Sequence, residues 1–414
     1  MRKSFLLWTL FPIVALAVGF VAWRHVEITQ REWQEMVAIA DRMQAELDSF
    51  EDRRPILYGE PVEGRASDEY ARAVRLLAPR VDERLERYRR AGRLDSDSAS
   101  ATAELLAQCA DALVAAANGA HCEEVGFDVD WSRGFAVRIP SLKDYRALAT
   151  VMSLTARQHV EAGRPERAAE LLLDGMQLGR DLYHAPVLIT SLIGGSVLTH
   201  SSYETLVDER LIDELSTRAL RILAEGMERL DTALATTSRT YQAEIVMFTR
   251  GITDPDTFAA YLGQPGVDVS YWSRARFGFS KARMSAAYVR DSEHWLALMR
   301  ASDDAPWTDR ELAVSAATDH VMKSGNPISS STIPRLLAAE RSRYDAIAQF
   351  RIARAEVEFR LTGTEPTVVD PYGGTIVIRE HDGQCYARSR GADDPQSSLH
   401  RFESVLLTGG FRTR

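Results

Sequence analysis

Residues 145–183 read YRALATVMSLTARQHVEAGRPERAAELLLDGMQLGRDLY. Apolar residues recur every three or four positions from Tyr145 to Ala162, and again from Glu166 to Tyr183, which predicts two amphipathic helices. Gly163-Arg164-Pro165 between them is a tight turn. Pro165 suits the first turn of the second helix, where the N–H it lacks would have no intrahelical partner. Helices joined by so short a link lie antiparallel. Small residues at Ala156, Ala168 and Gly175 predict a close approach. The stretch sets the fold class: a mainly α protein with a multi-helix body of antiparallel αα-hairpins.

Outward from this hairpin, residues 25–361 read as one helical body. Tyr70-Ala71, Val74, Leu76-Leu77, Val81 and Leu85 make an apolar face opposite Arg and Glu. Ser100 to Ala117 is rich in Ala and Leu and meets a stop signal at Asn118-Gly119. Residues 123–140 break the pattern and read as a long loop. Val187–Val207 and Asp213–Ile252 are further helical stretches. Gly194-Gly195 within the first costs about 1 kcal/mol per glycine, so tight packing or a break is expected there. Asp254-Pro255-Asp256 opens another helix, Thr308 to Glu311 is a T-x-x-E capping box, and Pro334–Leu361 is the last and longest helix.

The character changes at Thr362-Gly363. Pro371-Tyr372-Gly373-Gly374 is a turn, Thr375–Arg379 a β-branched run, His381-Asp382-Gly383 a hairpin turn, and Gln384–Ser389 the return strand. Phe402–Leu407 is a candidate third strand. A small antiparallel β tail over 362–414 is therefore the second unit and the only β structure expected.

At the other end, Phe5 to Trp23 is nineteen residues without a charge, nearly enough for a helix to span a bilayer core of roughly 30 Å. A transmembrane signal anchor over residues 1–24 is the leading reading. A signal peptide cleaved after Ala17 and a buried core helix are the alternatives. The first two place the bulk of the chain outside the cytoplasm: a single-pass protein of the inner membrane with its body in the periplasm or outside the cell.

The formal charge of −9 in a chain that is 26% charged does not favour nucleic acid as a partner. Three cysteines are too few for a disulfide scaffold. Cys109 and Cys122 are equally well read as a disulfide or as two separate thiols, and Cys385 as a buried strand residue. No H-E-x-x-H, G-x-S-x-G, Walker-type loop or strand-borne G-x-G-x-x-G is present, so no catalytic residue is assigned and no cofactor is expected beyond a calcium ion. Asp128-x-Asp130-x-Ser132 begins like a calcium loop but has Arg133 where glycine is needed. His184, His200 and Glu204 are one set that folding could bring together.

Between Tyr271 and Arg300 six aromatics interleave with six basic residues. Tyr271, Trp272, Arg274, Arg276 and Arg283 are candidates for a partner or lipid surface. The plain alternative is a helix with aromatics in the core and arginines in solvent. The function this suggests is a membrane-tethered binding or assembly module with a protein partner, in an envelope or secretion apparatus. An extracytoplasmic hydrolase with a site assembled between helices is the alternative.

Three resemblances add to this reading. Residues 145–183 resemble a single tetratricopeptide-like hairpin, with Met152 and His159 where that repeat carries aromatics. The order of long helix, Asp370-Pro371-Tyr372-Gly373-Gly374, strand, Asp382-Gly383, strand and Ser389-Arg390-Gly391-Ala392-Asp393-Asp394 resembles the tail of the major type II secretion pseudopilin, over about 341–394. In that family the acidic loop after the last strand holds calcium, which implies Asp393 and Asp394 here; its methylated prepilin segment is absent. The whole chain also resembles an uncharacterised family of bacterial membrane-anchored helical proteins with such a tail, which implies no activity.

Overall fold

In chain order, α1 covers residues 30–48, β1 Val62–Arg65, α2 Ala66–Leu77, α3 Ala99–Gln108, α4 Ala110–His121, β2 Cys122–Glu124, α5 Leu142–Glu161 and α6 Pro165–His184. Then come α7 Leu188–Thr199, which continues as a π-helix over His200–Asp208, α8 Thr217–Thr232, α9 Ser238–Thr253, α10 Tyr271–Ala301, α11 Trp307–Lys323, α12 Pro327–Thr362, β3 Val377–His381 and β4 Gln384–Arg388. The computed structural model describes residues 27–28, 30–50, 54–77, 99–127, 129–137, 142–234, 238–253, 271–303, 305–323, 326–381, 384–393 and 399.

The predicted hairpin forms as α5 and α6. Pro165 opens α6, and the Arg164 N–H bonds to the His159 carbonyl to close the turn. From Leu171 to His184 every residue of α6 is buried, because α4, α5, α7 and α8 all pack against it. Helix α7 returns antiparallel along it after only three residues. The glycine pair keeps the helix unbroken and brings two backbones together: a Cβ on Gly194 would fall 2.0 Å from the Tyr183 nitrogen, and one on Gly179 2.6 Å from the Leu198 nitrogen. Gly175 does not serve the α5–α6 contact as expected. It makes room for Ser201, whose hydroxyl would lie 2.6 Å from an added Cβ.

Several bounds differ from the sequence reading, each for a local reason. The Ala-rich run divides at Cys109, and α4 continues through Asn118-Gly119, because a bare Gly119 lets the Tyr70 ring pack where a Cβ would sit 2.5 Å from it. On α2 the buried residues are Ala66, Tyr70, Ala73 and Leu77, while Leu76 faces solvent; Val81 and Leu85 lie outside the described residues. Asp213–Ile252 is two helices, the first capped by Ser216, whose Oγ accepts from the Ala219 N–H at 3.1 Å. Helix α11 begins at Trp307 on the Pro306 carbonyl rather than on a Thr308 box, and Glu311 turns instead to Arg341. Helix α12 starts at Pro327, with Pro334 inside it. The opening at Asp254 lies outside the described residues.

The tail is not the only β structure: β1 pairs in parallel with β2, with Val62 opposite Cys122. Four residues, Val-Glu-Gly-Arg, the first three exposed and the last half-buried, carry no alternation that a sequence could show. The tail hairpin forms, with β3 over Val377–His381 rather than Thr375–Arg379, so that His381 belongs to the strand and not to the turn. Strands β3 and β4 are antiparallel with His381 opposite Gln384, leaving a two-residue connection. The preceding turn closes through the Asp370 N–H to the Gly374 carbonyl. The candidate strand 402–407 lies outside the described residues.

Two apolar clusters hold the chain. The larger joins α2 and α4–α8 with the lower half of α12, and it includes Val368, Tyr372, Ile376, Ala387 and Ala392 of the tail. The second joins Met36, Ile39 and Met43 of α1 to Tyr241, Tyr288, Trp295 and Val321 of α9–α11. Cys109 and Cys122 are buried thiols not joined by a disulfide; Cys122 donates to the Asn118 carbonyl, and Cys385 in β4 is only half-buried. The predicted anchor, residues 5–23, lies outside the described residues, among which no helix is long and apolar enough to cross a membrane.

Candidate functional site

A helix buried on all sides has no solvent for its charges, so each must find a partner. Asp174, Gln177 and Asp181 form one stripe of α6, and residues 54–60 run along that stripe as a strap. The side chains of Arg54 and Asp181 have no exposed surface, and Arg54 Nε and Nη2 donate to the carboxylate at 2.7–3.1 Å. Arg54 also donates to the Gly119 and Cys122 carbonyls, closing the C-terminal end of α4. Tyr70 and Gln177 add donors to Asp181 at 2.9 and 3.0 Å. Burial works against the charge on Arg54, but Asp181 and Tyr70 outweigh it and raise its pKa.

Two turns earlier, Asp174 accepts from the Tyr58 hydroxyl at 2.7 Å and lies 3.5 Å from His121 Nε2. Seven helical residues rise about 10.5 Å, and four strap residues reach at most about 13 Å, so Arg54 and Tyr58 meet the two carboxylates in step. Burial pushes the Asp174 carboxyl up against the two hydrogen bonds it receives. Asp174 in turn lifts His121 above the ordinary imidazole value. The imidazole–carboxylate pair suits acid–base chemistry in kind. Here, however, Tyr58 stands edge-on to the ring at 4.5 Å, and the ring also bonds to the Glu60 backbone. Both contacts hold the strap down.

Folding does pair His200 with Glu204, 2.7 Å apart one turn along the π-helix. His184 does not join them: among the described residues no three His, Cys, Asp or Glu side chains could hold a metal. Next on that face, burial and the neighbouring Glu204 and Glu209 push the Asp208 carboxyl up to about 6. A folded value above the unfolded one of about 3.9 means the native state binds more protons, so stability falls as pH rises from about 4 through 6. Asp208→Asn should therefore stabilise the protein at pH 7 by about 1 kcal/mol after screening by solvent, and by nothing at pH 4. Urea unfolding at the two pH values measures this; equal effects at both would contradict it.

The third arrangement is on the tail. Alternation along β3 puts Val377 and Arg379 on one face and Ile378 and Glu380 on the other. Arg388 stands directly opposite Val377, and the single turn of 3-10 helix over Arg390–Asp393 walls the end of that face. The result is a cleft of about 330 Å³ lined by Arg379, Arg388, Arg390, Asp393 and the Gly374-Thr375 backbone, among others. Buried Asp370 fixes the walls to each other: it accepts from the Tyr372 N–H and Ser389 Oγ, both at 2.9 Å, and from the Arg390 N–H at 2.6 Å. Trp307 and Glu356 bond to the Pro371 carbonyl and the Ala387 N–H, which seats the tail on α11 and α12.

Asp393 is exposed and gives its carboxylate to Arg388 at 2.6 Å; Asp394 lies outside the described residues. Asp393, the described member of the predicted calcium pair, is thus already engaged by a guanidinium. Tyr271, Trp272, Arg274, Arg276 and Arg283 fall on the first half of α10, whose backbone is helical and whose side chains lie outside the described residues. In its second half Tyr288 and Trp295 are buried, while Arg290 and Arg300 pair with Glu35 and Glu46 of α1. Sequence reasoning did not single out the strap, Asp174, Asp181 or the arginine cleft. Comparison of the chain with protein-family models, with curated proteins and with solved structures found no match.

Proposed function

We propose that this protein is a binding or assembly module, tethered to the membrane through residues 5–23 with its body outside the cytoplasm, and that the arginine cleft of its β tail is the recognition surface. The observation that supports this is the convergence of Arg379, Arg388 and Arg390 on one cleft with a single acidic neighbour, Asp393. The buried charges of α6 are spent on holding the fold, whereas the cleft arginines are presented to solvent on a rigid seat. Guanidiniums held so are suited to grip an anionic group by paired hydrogen bonds.

The test is affinity capture from detergent-solubilised native membranes with the full chain and with Arg379→Glu/Arg390→Glu. Both residues are exposed, so the variant should keep its circular dichroism and melting temperature. The species recovered by the unaltered chain should fall at least tenfold with the variant; equal recovery rejects the cleft as the recognition surface. Alkaline phosphatase fused after Arg414 should be active in living bacteria if the body lies outside the cytoplasm.

A further inference from the structure

The charges in the cleft narrow its ligand. Asp393 satisfies Arg388. Arg379 and Arg390 make no ion pair with any carboxylate of the described residues, and Glu380 is directed to the opposite face by strand alternation. Among the described residues, two positive charges are thus uncompensated within one small cleft of a chain whose formal charge is −9. A carboxylate ligand would balance one of them. A phosphate monoester, carrying close to two negative charges at neutral pH, balances both and offers three acceptor oxygens to the forked donors.

Backbone geometry supports the same ligand. Gly374 has φ +82°, and a Cβ there would lie 3.2 Å from Arg390 Cζ and Nη2, so the guanidinium rests directly over the bare glycine backbone. The Arg390 backbone N–H is already given to buried Asp370 at 2.6 Å, which fixes the residue that carries the guanidinium donors. A donor placed in advance loses less freedom on binding. The volume of about 330 Å³ is at the small end of ligand sites and leaves room beside the phosphate for a group the size of glycerol.

Resting on the reading of the cleft as the recognition surface, we propose that it binds a phosphate monoester, with Arg379 and Arg390 as the paired anion grips and Arg388–Asp393 as the neutral wall. The group can come from a soluble metabolite or from a lipid headgroup.

Calorimetry on the full chain in detergent micelles, at fixed ionic strength, tests it with glycerol 3-phosphate, inorganic phosphate and acetate. Glycerol 3-phosphate should bind at least tenfold more tightly than acetate. Its affinity should rise severalfold between pH 5 and pH 7.5, as the second phosphate proton (pKa about 6) leaves while the arginines stay charged. Arg379→Ala/Arg390→Ala should weaken binding at least tenfold. Gly374→Ala, which displaces the Arg390 head, should weaken it less. Titration with short-chain phosphatidic acid and short-chain phosphatidylcholine dispersed in the same micelles separates the sources. Phosphatidic acid binding more tightly than glycerol 3-phosphate, with no binding of phosphatidylcholine, assigns the lipid, and the reverse order of the two phosphates assigns the metabolite.

Acetate binding as tightly as glycerol 3-phosphate, absence of the pH dependence, or unchanged affinity in the double variant would overturn the proposal. If any of these occurs while membrane capture still depends on Arg379 and Arg390, the phosphate assignment alone falls. If capture is also independent of them, the recognition surface falls with it.

Discussion

Asp181→Ala should cost about 3–5 kcal/mol of unfolding free energy, a large share of the roughly 5–15 kcal/mol that holds a domain. The reason is what the substitution leaves behind. The Arg54 side chain has no exposed surface, and without Asp181 its charge would face only Tyr70 and two backbone carbonyls. Tyr70, also buried, would lose the acceptor of its hydroxyl, and Gln177 one of its own. A buried cation stripped of its counter-charge costs far more than the pair contributes when intact. Replacing Arg54, Tyr70 and Asp181 together, as Arg54→Met, Tyr70→Phe and Asp181→Leu, should therefore recover part of the loss, the remainder falling on buried Arg180, whose Nη1 lies 3.2 Å from Asp181. Urea unfolding of the two variants measures both numbers. A loss under about 1 kcal/mol for Asp181→Ala would mean that water reaches the carboxylate and that the strap is not locked. Limited proteolysis gives an independent reading, with new cleavage between residues 54 and 60 expected only in the single variant.

How legible this lock was in the sequence follows from periodicity. The helices α5 and α6, the Pro165 turn, the close glycine contact and the Asp-Gly hairpin all rest on short-range signals: apolar spacing, fixed φ, absent side chains. These survive in a single sequence. Asp174 and Asp181 look the same, on spacing alone, as charges on a solvated face. What marks them as buried is the company they keep: from Leu171 to His184 there is no Lys or Glu, and Ala168, Ala169, Gly175 and Gly179 place small residues on several sides of one helix. A helix narrow all round has neighbours all round, so its few charges are paired inside. The partners could not be read in the same way, since Arg54 and Tyr58 come from 116 to 127 residues away. The cleft was half legible. The hairpin is legible from Asp382-Gly383, but with His381 counted in the turn its register would put Arg379 and Arg388 on opposite faces. Pairing of His381 with Gln384 brings them to one face, and the acidic loop after β4 drew attention to Asp393 rather than to the arginines around it.

Glu340→Ala should cost a comparable amount, about 3–5 kcal/mol, and should also change the shape of the unfolding transition. Glu340 is fully buried on α12, and its two oxygens accept from Arg310 Nε of α11 at 2.6 Å and from the Tyr241 hydroxyl of α9 at 2.7 Å. Arg310 reaches on to the Met299 carbonyl and Asp303 at the end of α10. Three residues along the same helix, buried Arg343 lies 4.4 Å over the Tyr183 ring of α6. Glu340 thus reaches Tyr241 of the second apolar cluster while Arg343 reaches α6, whose neighbouring Leu182 belongs to the first, so this turn of α12 links elements of both cores. Losing the carboxylate leaves Asp303 as the ion-pair partner of Arg310 among the described residues and removes the one side chain that joins α9, α11 and α12, with the Arg341–Glu311 pair and the Trp307–Tyr344 ring contact still linking α11 to α12. Calorimetry should then show two resolved transitions, the lower one carrying α1 and α9–α11, where the unaltered protein shows one. Asp181→Ala, whose contacts all lie within the first cluster, should not split the peak in this way. A single transition in Glu340→Ala, merely shifted down, would mean that apolar contact alone couples the clusters and that the buried charges only fill their places.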